Sequence, residues 1–387
     1  MKIKKFIFIT ISEFSQRDYD RFGVEILINN GFKVEVFDIS YLIYKVKGTS
    51  VNKVKVSSLL SYKELEEKLL QNNLSETVFI ELYGESSQLF MVESLLTRLK
   101  AKTLLFNTNS IPVSVKGQSL LYKIRFLLTS FISYKRTFEQ ITYRLKKDKL
   151  KNHDFILIGG NKGRNCSRVG DDTEFIYGHT LDYDIYLNEQ NKEQLLNYKY
   201  AVFLDEYLPY HPDEEMSGAS KYLQEISDIY YKKINLFFDF LEEKHNLKIV
   251  IASHPRSNYV DNGNVFKGRK HIKGKTNLLI RDAEFCIAHF STSINFAVLH
   301  KKPIYFISLK EIDYLFSDFI EMFAKELGNV KILIDDDSSL NNSFLKINEE
   351  LYKAYMKNYI KNTDLSDNNS YNWDIVAKYF LDKQKGE

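Results

Sequence analysis

Cysteine is nearly absent from this chain: two thiols, Cys166 and Cys286, in 387 residues. Two cannot build a disulfide framework or a four-ligand zinc set, and the scarcity fits a reducing cytoplasm. Proline and glycine are sparse too, 5 and 16, against 26 tyrosines and 28 phenylalanines. With abundant lysine, isoleucine and asparagine, that aromatic excess reads as codon bias of an AT-rich genome and says little about function. Long apolar runs are missing, and none approaches the ~18 residues of a membrane-crossing helix. The opening MKIKKFIFITISEF has the charge-then-apolar order of a secretion signal. Its apolar run is short, lacks a small-residue cleavage site and alternates like a first β-strand. Net charge is only +3, too small to mark a nucleic-acid binder, and no nucleic acid is expected as a partner.

What is present is ordinary globular material, 44% hydrophobic and 27% charged, enough to bury a core. At roughly 100–200 residues per domain, this length predicts two domains. FIFITI, a helical spacing over Gln16 to Asn30 stopped at Gly31, and KVEVFDI read strand, helix, strand. TVFIELY, a helix over 86–100 and KTLLFNT repeat the pattern, and DFILIGG adds a strand. Near residue 200 the alternation restarts. YAVFLDEYLPYH is strand then loop, Ser220 to Lys244 a long amphipathic helix, and LKIVIASHPR strand then loop. NLLIRDAEFCIAHF, STSINFAVLHKK and PIYFIS continue the alternation. Such order predicts an α/β fold of parallel sheets: two Rossmann-like domains facing each other across a cleft. The expected boundaries are 1–190 for an acceptor domain, 191–345 for a nucleotide-sugar domain, and 346–387 for C-terminal helices packing back on the first.

Residues 116–151 stand apart, with ten Lys/Arg against Glu139 and Asp148, interleaved with apolar residues. Two readings fit: a basic amphipathic segment on an anionic membrane surface, or a solvated helical face closing the first domain. Gly159-Gly160-Asn161-Lys162-Gly163 has neither the Walker nor the dinucleotide spacing, so a plain turn is expected.

In open parallel sheets, ligands sit beyond the carboxyl ends of the strands. Three clusters fall there. Asp205-Glu206 follows AVFL, and two carboxylates leaving a strand suit a general base or a turn cap. His254-Pro255-Arg256 follows KIVIAS. The proline keeps the histidine out of helix, and Arg256 has the fork geometry for a phosphate. Ser291-Thr292-Ser293 lies between a strand and a helix start, where small hydroxyl residues either cap the helix or hold an anion. A second His-Pro, His211-Pro212, sits in an acidic loop and ranks below His254. Asp182-Tyr183-Asp184 and Asp18-Tyr19-Asp20 match the short Asp-x-Asp pattern of metal-dependent sugar transferases, but neither clearly follows a buried strand. His271, His289 and His300 lack metal-ligand partners at useful spacing.

In that order the acidic pair, the His-Pro and the Ser/Thr turn resemble bacterial GT-B glycosyltransferases of surface-polysaccharide synthesis. Among those, the sialyltransferase-like enzymes that use CMP-activated nonulosonic acids are the most similar. HTLDYDIYL, FLDEYLPYHPD and HFSTSINFAVLHKKPI extend the resemblance over about residues 179–308. It implies an inverting, metal-independent transfer from a CMP-sugar (sialic, pseudaminic, legionaminic or Kdo-like) to a glycan or lipid-linked glycan. No cofactor is implied. Asp205 or Glu206 would deprotonate the acceptor, and His254 would serve the departing phosphate. Arg256 and Ser291, Thr292 and Ser293 would bind it. Tyr207 stands where the family has glycine, which leaves Asp213 or Glu214 open as the base. The cysteine usage places the protein in the cytoplasm, and the basic segment 116–151 offers the inner membrane face as a peripheral site. Competing expectations are a UDP-, GDP- or dTDP-sugar donor, a nucleotide-sugar 2-epimerase, and a non-catalytic scaffold of a polysaccharide assembly complex.

Overall fold

The computed structural model describes residues 2–45, 53–84, 86–112, 143, 145–211, 220–259, 264–336, 345–362, 364 and 369–386. Most of the basic segment 116–151 and the acidic run Asp213-Glu214-Glu215 lie outside them. The chain divides into two compact units. One gathers the described residues of 1–110, 143–184 and 357–386, and the other residues 111–112 and the described residues of 185–356. Among the described residues the breaks fall at 110/111, 184/185 and 356/357.

The first unit is built on seven parallel strands: β1 (Lys5–Thr10), β2 (Lys33–Asp38), β3 (Lys55–Ser58), β4 (Thr77–Glu81), β5 (Lys102–Asn107), β6 (Phe155–Ile158) and β7 (Glu174–Tyr177). They lie in the order β3-β2-β1-β4-β5-β6-β7. Side chains alternate across a strand, so a sheet covered on both faces demands apolar residues at successive positions. Phe6 and Phe8 enter one core with the helix Asn372–Lys385, through Trp373, Val376 and Phe380. Ile7 and Ile9 enter the other, under the helices Tyr62–Leu70 and Phe90–Arg98.

The second unit carries six parallel strands: β8 (Tyr200–Leu204), β9 (Lys248–Ser253), β10 (His271–Lys273), β11 (Cys286–Ala288), β12 (Ile304–Ser308) and β13 (Lys331–Leu333). Their order is β10-β9-β8-β11-β12-β13. Both sheets follow the Rossmann order, running outward one way and then the other from their first strand. The chain is α/β, with two Rossmann-like parallel sheets. Among the described residues, no helix is long and apolar enough to cross a membrane.

Two expected helices are each two. Gln16–Arg21 and Val24–Asn29 are separated at Gly23, which sits at φ +53 with Trp373 against it. A Cβ there would lie 2.4 Å from the indole. Ser220–Glu225 and Ser227–His245 replace the single helix expected over 220–244.

Gly159-Gly160 is not a free turn. A Cβ on Gly159 would meet the Thr108 carbonyl at 2.4 Å, and one on Gly160 the Asn358 carbonyl group at 2.3 Å. These glycines let backbone from another part of the first unit pass at contact distance, as residues without Cβ allow. Gly160→Ala is expected to cost about 1–3 kcal/mol through overpacking against rigid backbone. Unchanged urea stability would mean that the 358–360 segment is not seated there. The Asp-x-Asp candidates are structural as well. Asp18 closes a capping box with Ser15, and Asp184 receives the Asn372 N–H at 3.2 Å.

Candidate functional site

All three motif clusters emerge at the carboxyl ends of β8, β9 and β11. The strand order reverses between β8 and β11, so the β8 end faces a topological switch point, the place where open sheets hold ligands.

The adjacent carboxylates diverge. Asp205 turns toward β9: its Oδ2 accepts the His254 N–H at 3.3 Å and the Tyr259 hydroxyl at 2.6 Å, while Oδ1 accepts the Tyr207 N–H at 2.9 Å. Glu206 turns toward β11, and its Oε1 accepts the Phe290 N–H at 2.9 Å. Its Oε2 is shut off from solvent, although the residue as a whole is half-buried, and has no hydrogen-bond partner among the described residues. Burial pushes Glu206 up to about 8; the Phe290 N–H opposes that and Asp205 adds to it. Burial also raises Asp205, against the pull of Tyr259, Tyr207 and His254. The pair thus pins the ends of three neighbouring strands together.

Tyr207 occupies a backbone conformation that favours glycine. Its backbone is left-handed, φ 55 and ψ 34, a conformation costing a side-chain-bearing residue roughly 1–2 kcal/mol. The buried ring offsets this by packing on Tyr210 and Tyr259, at 5.6 and 5.2 Å between centroids. An aromatic cluster holds this turn.

His254 is half-buried at the end of β9. Its Nδ1 accepts the Arg256 N–H at 3.2 Å, so the neutral ring carries its proton on Nε2. Its carbonyl takes the Ser257 N–H and hydroxyl at 3.0 and 2.8 Å. Arg256 is exposed.

The serine turn answers the choice between cap and anion site in part. Ser291 Oγ accepts the Ser293 N–H at 3.2 Å, a local cap. Ile294, Asn295 and Phe296 N–H groups are closed onto the carbonyls of Ser291, Thr292 and Ser293. The helix Ile294–Leu299 therefore does not offer those three N–H groups, as its position had led one to expect. The hydroxyls of Thr292 and Ser293 meet no partner among the described residues and are the donors left for a ligand.

Sequence reasoning missed Tyr259, which no spacing marks, and the Phe290 N–H, which is a backbone group. Of the other histidines the sequence offered, His289 is buried, His300 half-buried and His271 exposed. His289 Nδ1 donates to the Ile307 carbonyl at 2.7 Å and Nε2 accepts from Tyr230 at 2.9 Å, while burial pushes the ring down to about 4. His300 bonds Asn277 at 2.8 Å, and His271 meets Ser253 at 3.3 Å. Among the described residues, no group of three or more His, Cys, Asp or Glu is placed to hold a metal ion.

No family model matches this chain, and no curated protein sequence matches it. Solved structures do. A variant of the wall teichoic acid polymerase TagF superposes with a TM-score of 0.50 at 14% identity, over 99% of this chain and 89% of that one. The fold is of the GT-B glycosyltransferase kind. Two other likenesses superpose less well. The UDP-GlcNAc 2-epimerase of Methanocaldococcus jannaschii is 13% identical over 98% of this chain and 99% of its own, at TM-score 0.48. The calicheamicin glycosyltransferase is 9% identical over 92% and 94%, at 0.43. At these identities the likeness is one of fold.

Proposed function

We propose that this chain is a nucleotide-sugar-dependent glycosyltransferase, with a CMP-activated nonulosonic acid as donor and a surface glycan or lipid-linked glycan as acceptor. One observation carries the reading. Three motifs distant in sequence are tied together astride the switch point of a Rossmann-like sheet, by the Asp205–His254 and Glu206–Phe290 hydrogen bonds. In that arrangement His254 offers an Nε2–H to a leaving phosphate, and Thr292 and Ser293 offer hydroxyls to its other oxygens. A single phosphate needs no more donors than these, and preorganised donors at a developing negative charge are the strongest catalytic device available to such a site.

Arg256, exposed beyond His254, supports a second donor class. A diphosphate-linked sugar would use that additional cation. Thermal denaturation with CMP, CDP, UDP, GDP and dTDP, each with EDTA and with Mg²⁺, separates the two. A nucleotide at 100 times its Kd adds about 2.7 kcal/mol. We expect CMP or CDP to stabilise without metal. Stabilisation by UDP, GDP or dTDP alone would replace the donor, and no response to any nucleotide would return the protein to the scaffold reading.

A further inference from the structure

The acceptor hydroxyl of a glycosyl transfer must lose its proton, and the carboxylate pair is badly placed to take it. Asp205 is 6% exposed and its two oxygens already accept three donors. Glu206 has one bare oxygen, but that atom is closed off from solvent. A group pushed up to about 8 also holds its proton near neutrality. Both side chains brace the strand ends instead.

A second imidazole stands beside them. His211 follows the turn Leu208–Tyr210 that leaves β8, and it is half-buried where Asp205 is enclosed. Its ring lies 4.7 Å from that of His254, at 65°. Two His-Pro pairs, leaving adjacent strands β8 and β9, thus deliver two imidazoles to one spot.

Resting on the transferase reading, we infer that His211 is the general base of this site and His254 its partner at the leaving phosphate. The acceptor O–H gives its proton to His211. The acceptor oxygen forms the bond to the anomeric carbon as the bond from that carbon to the phosphate oxygen breaks. That electron pair stays on the phosphate, where the His254 Nε2–H donates a hydrogen bond. The products are the glycoside, the nucleotide and a protonated His211, whose charge Asp205 balances. Imidazole is suited to this work because its ordinary range lies near neutral pH.

The test uses the full chain and His211→Gln and His211→Ala variants. CMP binding is read by calorimetry. Turnover is read as CMP release from CMP-N-acetylneuraminic acid and as UDP release from UDP-N-acetylglucosamine, with water or lactose as acceptor. A base contributes about 10²–10⁴-fold, so both variants should lose turnover by that factor while keeping the wild-type affinity for CMP. Added imidazole should restore His211→Ala in part. Turnover of His211→Gln within threefold of wild type overturns the assignment and leaves the transferase reading standing. Loss of CMP binding along with turnover also overturns it, by making His211 a donor ligand. A wild-type protein that binds no CMP and releases nucleotide from neither donor removes the transferase reading, and the base with it.

Discussion

Replacing Arg168 by methionine is expected to cost the first unit about 3–5 kcal/mol, the usual penalty for leaving buried charges without their partner. Arg168 lies inside that unit with its guanidinium between two enclosed carboxylates. Nη1 is 3.1 Å from Glu93 and Nη2 is 3.5 Å from Glu81. Nη2 also donates to His153 Nδ1 at 3.0 Å, and Tyr143 donates to Glu93 at 3.0 Å. Glu81 and Glu93 are 1% and 2% exposed, so water cannot replace the lost cation. Burial pushes Glu81 up to about 7 even with Arg168 beside it. His153 is pushed down to about 3, by burial first and then by Arg168 and Lys151, in keeping with its role as acceptor.

The sign of the pH dependence follows. A carboxyl raised in the folded state contributes stability below its unfolded value near 4.5 and loses it as pH rises through about 7. Without Arg168 that rise goes further, so the methionine variant should be least damaged near pH 5 and most damaged near pH 8. Urea unfolding at the two pH values measures both effects. A penalty under 1 kcal/mol, or one that shrinks as pH rises, would mean the cluster is not a buried ion pair.

His254→Ala is expected to lower turnover by about 10²–10³-fold, the usual loss of one charge-stabilising donor. The fold should stay intact, because the bonds that shape this loop end are made by backbone. The His254 N–H reaches Asp205 and its carbonyl receives Ser257, and alanine keeps both. The side chain's Nδ1 accepts the Arg256 N–H. The check is a pair of measurements: steady-state turnover, and the melting temperature. Near-full activity in a folded variant would remove His254 from the chemistry. A collapse of both would make it a structural residue.

Much of this was legible in the sequence, for a physical reason. A parallel strand is buried on both faces, so KFIFIT and YAVFL stand out as apolar runs without needing any partner to be known. Motif order was legible too, because strand ends can be counted along the chain. What stayed hidden depends on residues far apart. The break at Gly23 is forced by Trp373, from the opposite end of the chain. The glycines at 159 and 160 seat backbone near 108 and 358–360. The commitment of Asp205 depends on Tyr259 and on a backbone N–H of the next strand. Local spacing carries none of these.

The core of the first unit draws Trp373, Val376 and Phe380 from the helix Asn372–Lys385, while the second sheet lies wholly within 185–356. On a ribosome, domains ordinarily mature in the order they are made. Here the sequence of events is inverted. Phe14, Phe22 and Phe32 can pack on Phe6 and Phe8 early, but the side of this core filled by Trp373 and Phe380 waits for the helix Asn372–Lys385, and the second sheet has all its strands first. Nascent chains of this protein are therefore expected to leave part of that aromatic face open to chaperones until the helix Asn372–Lys385 emerges.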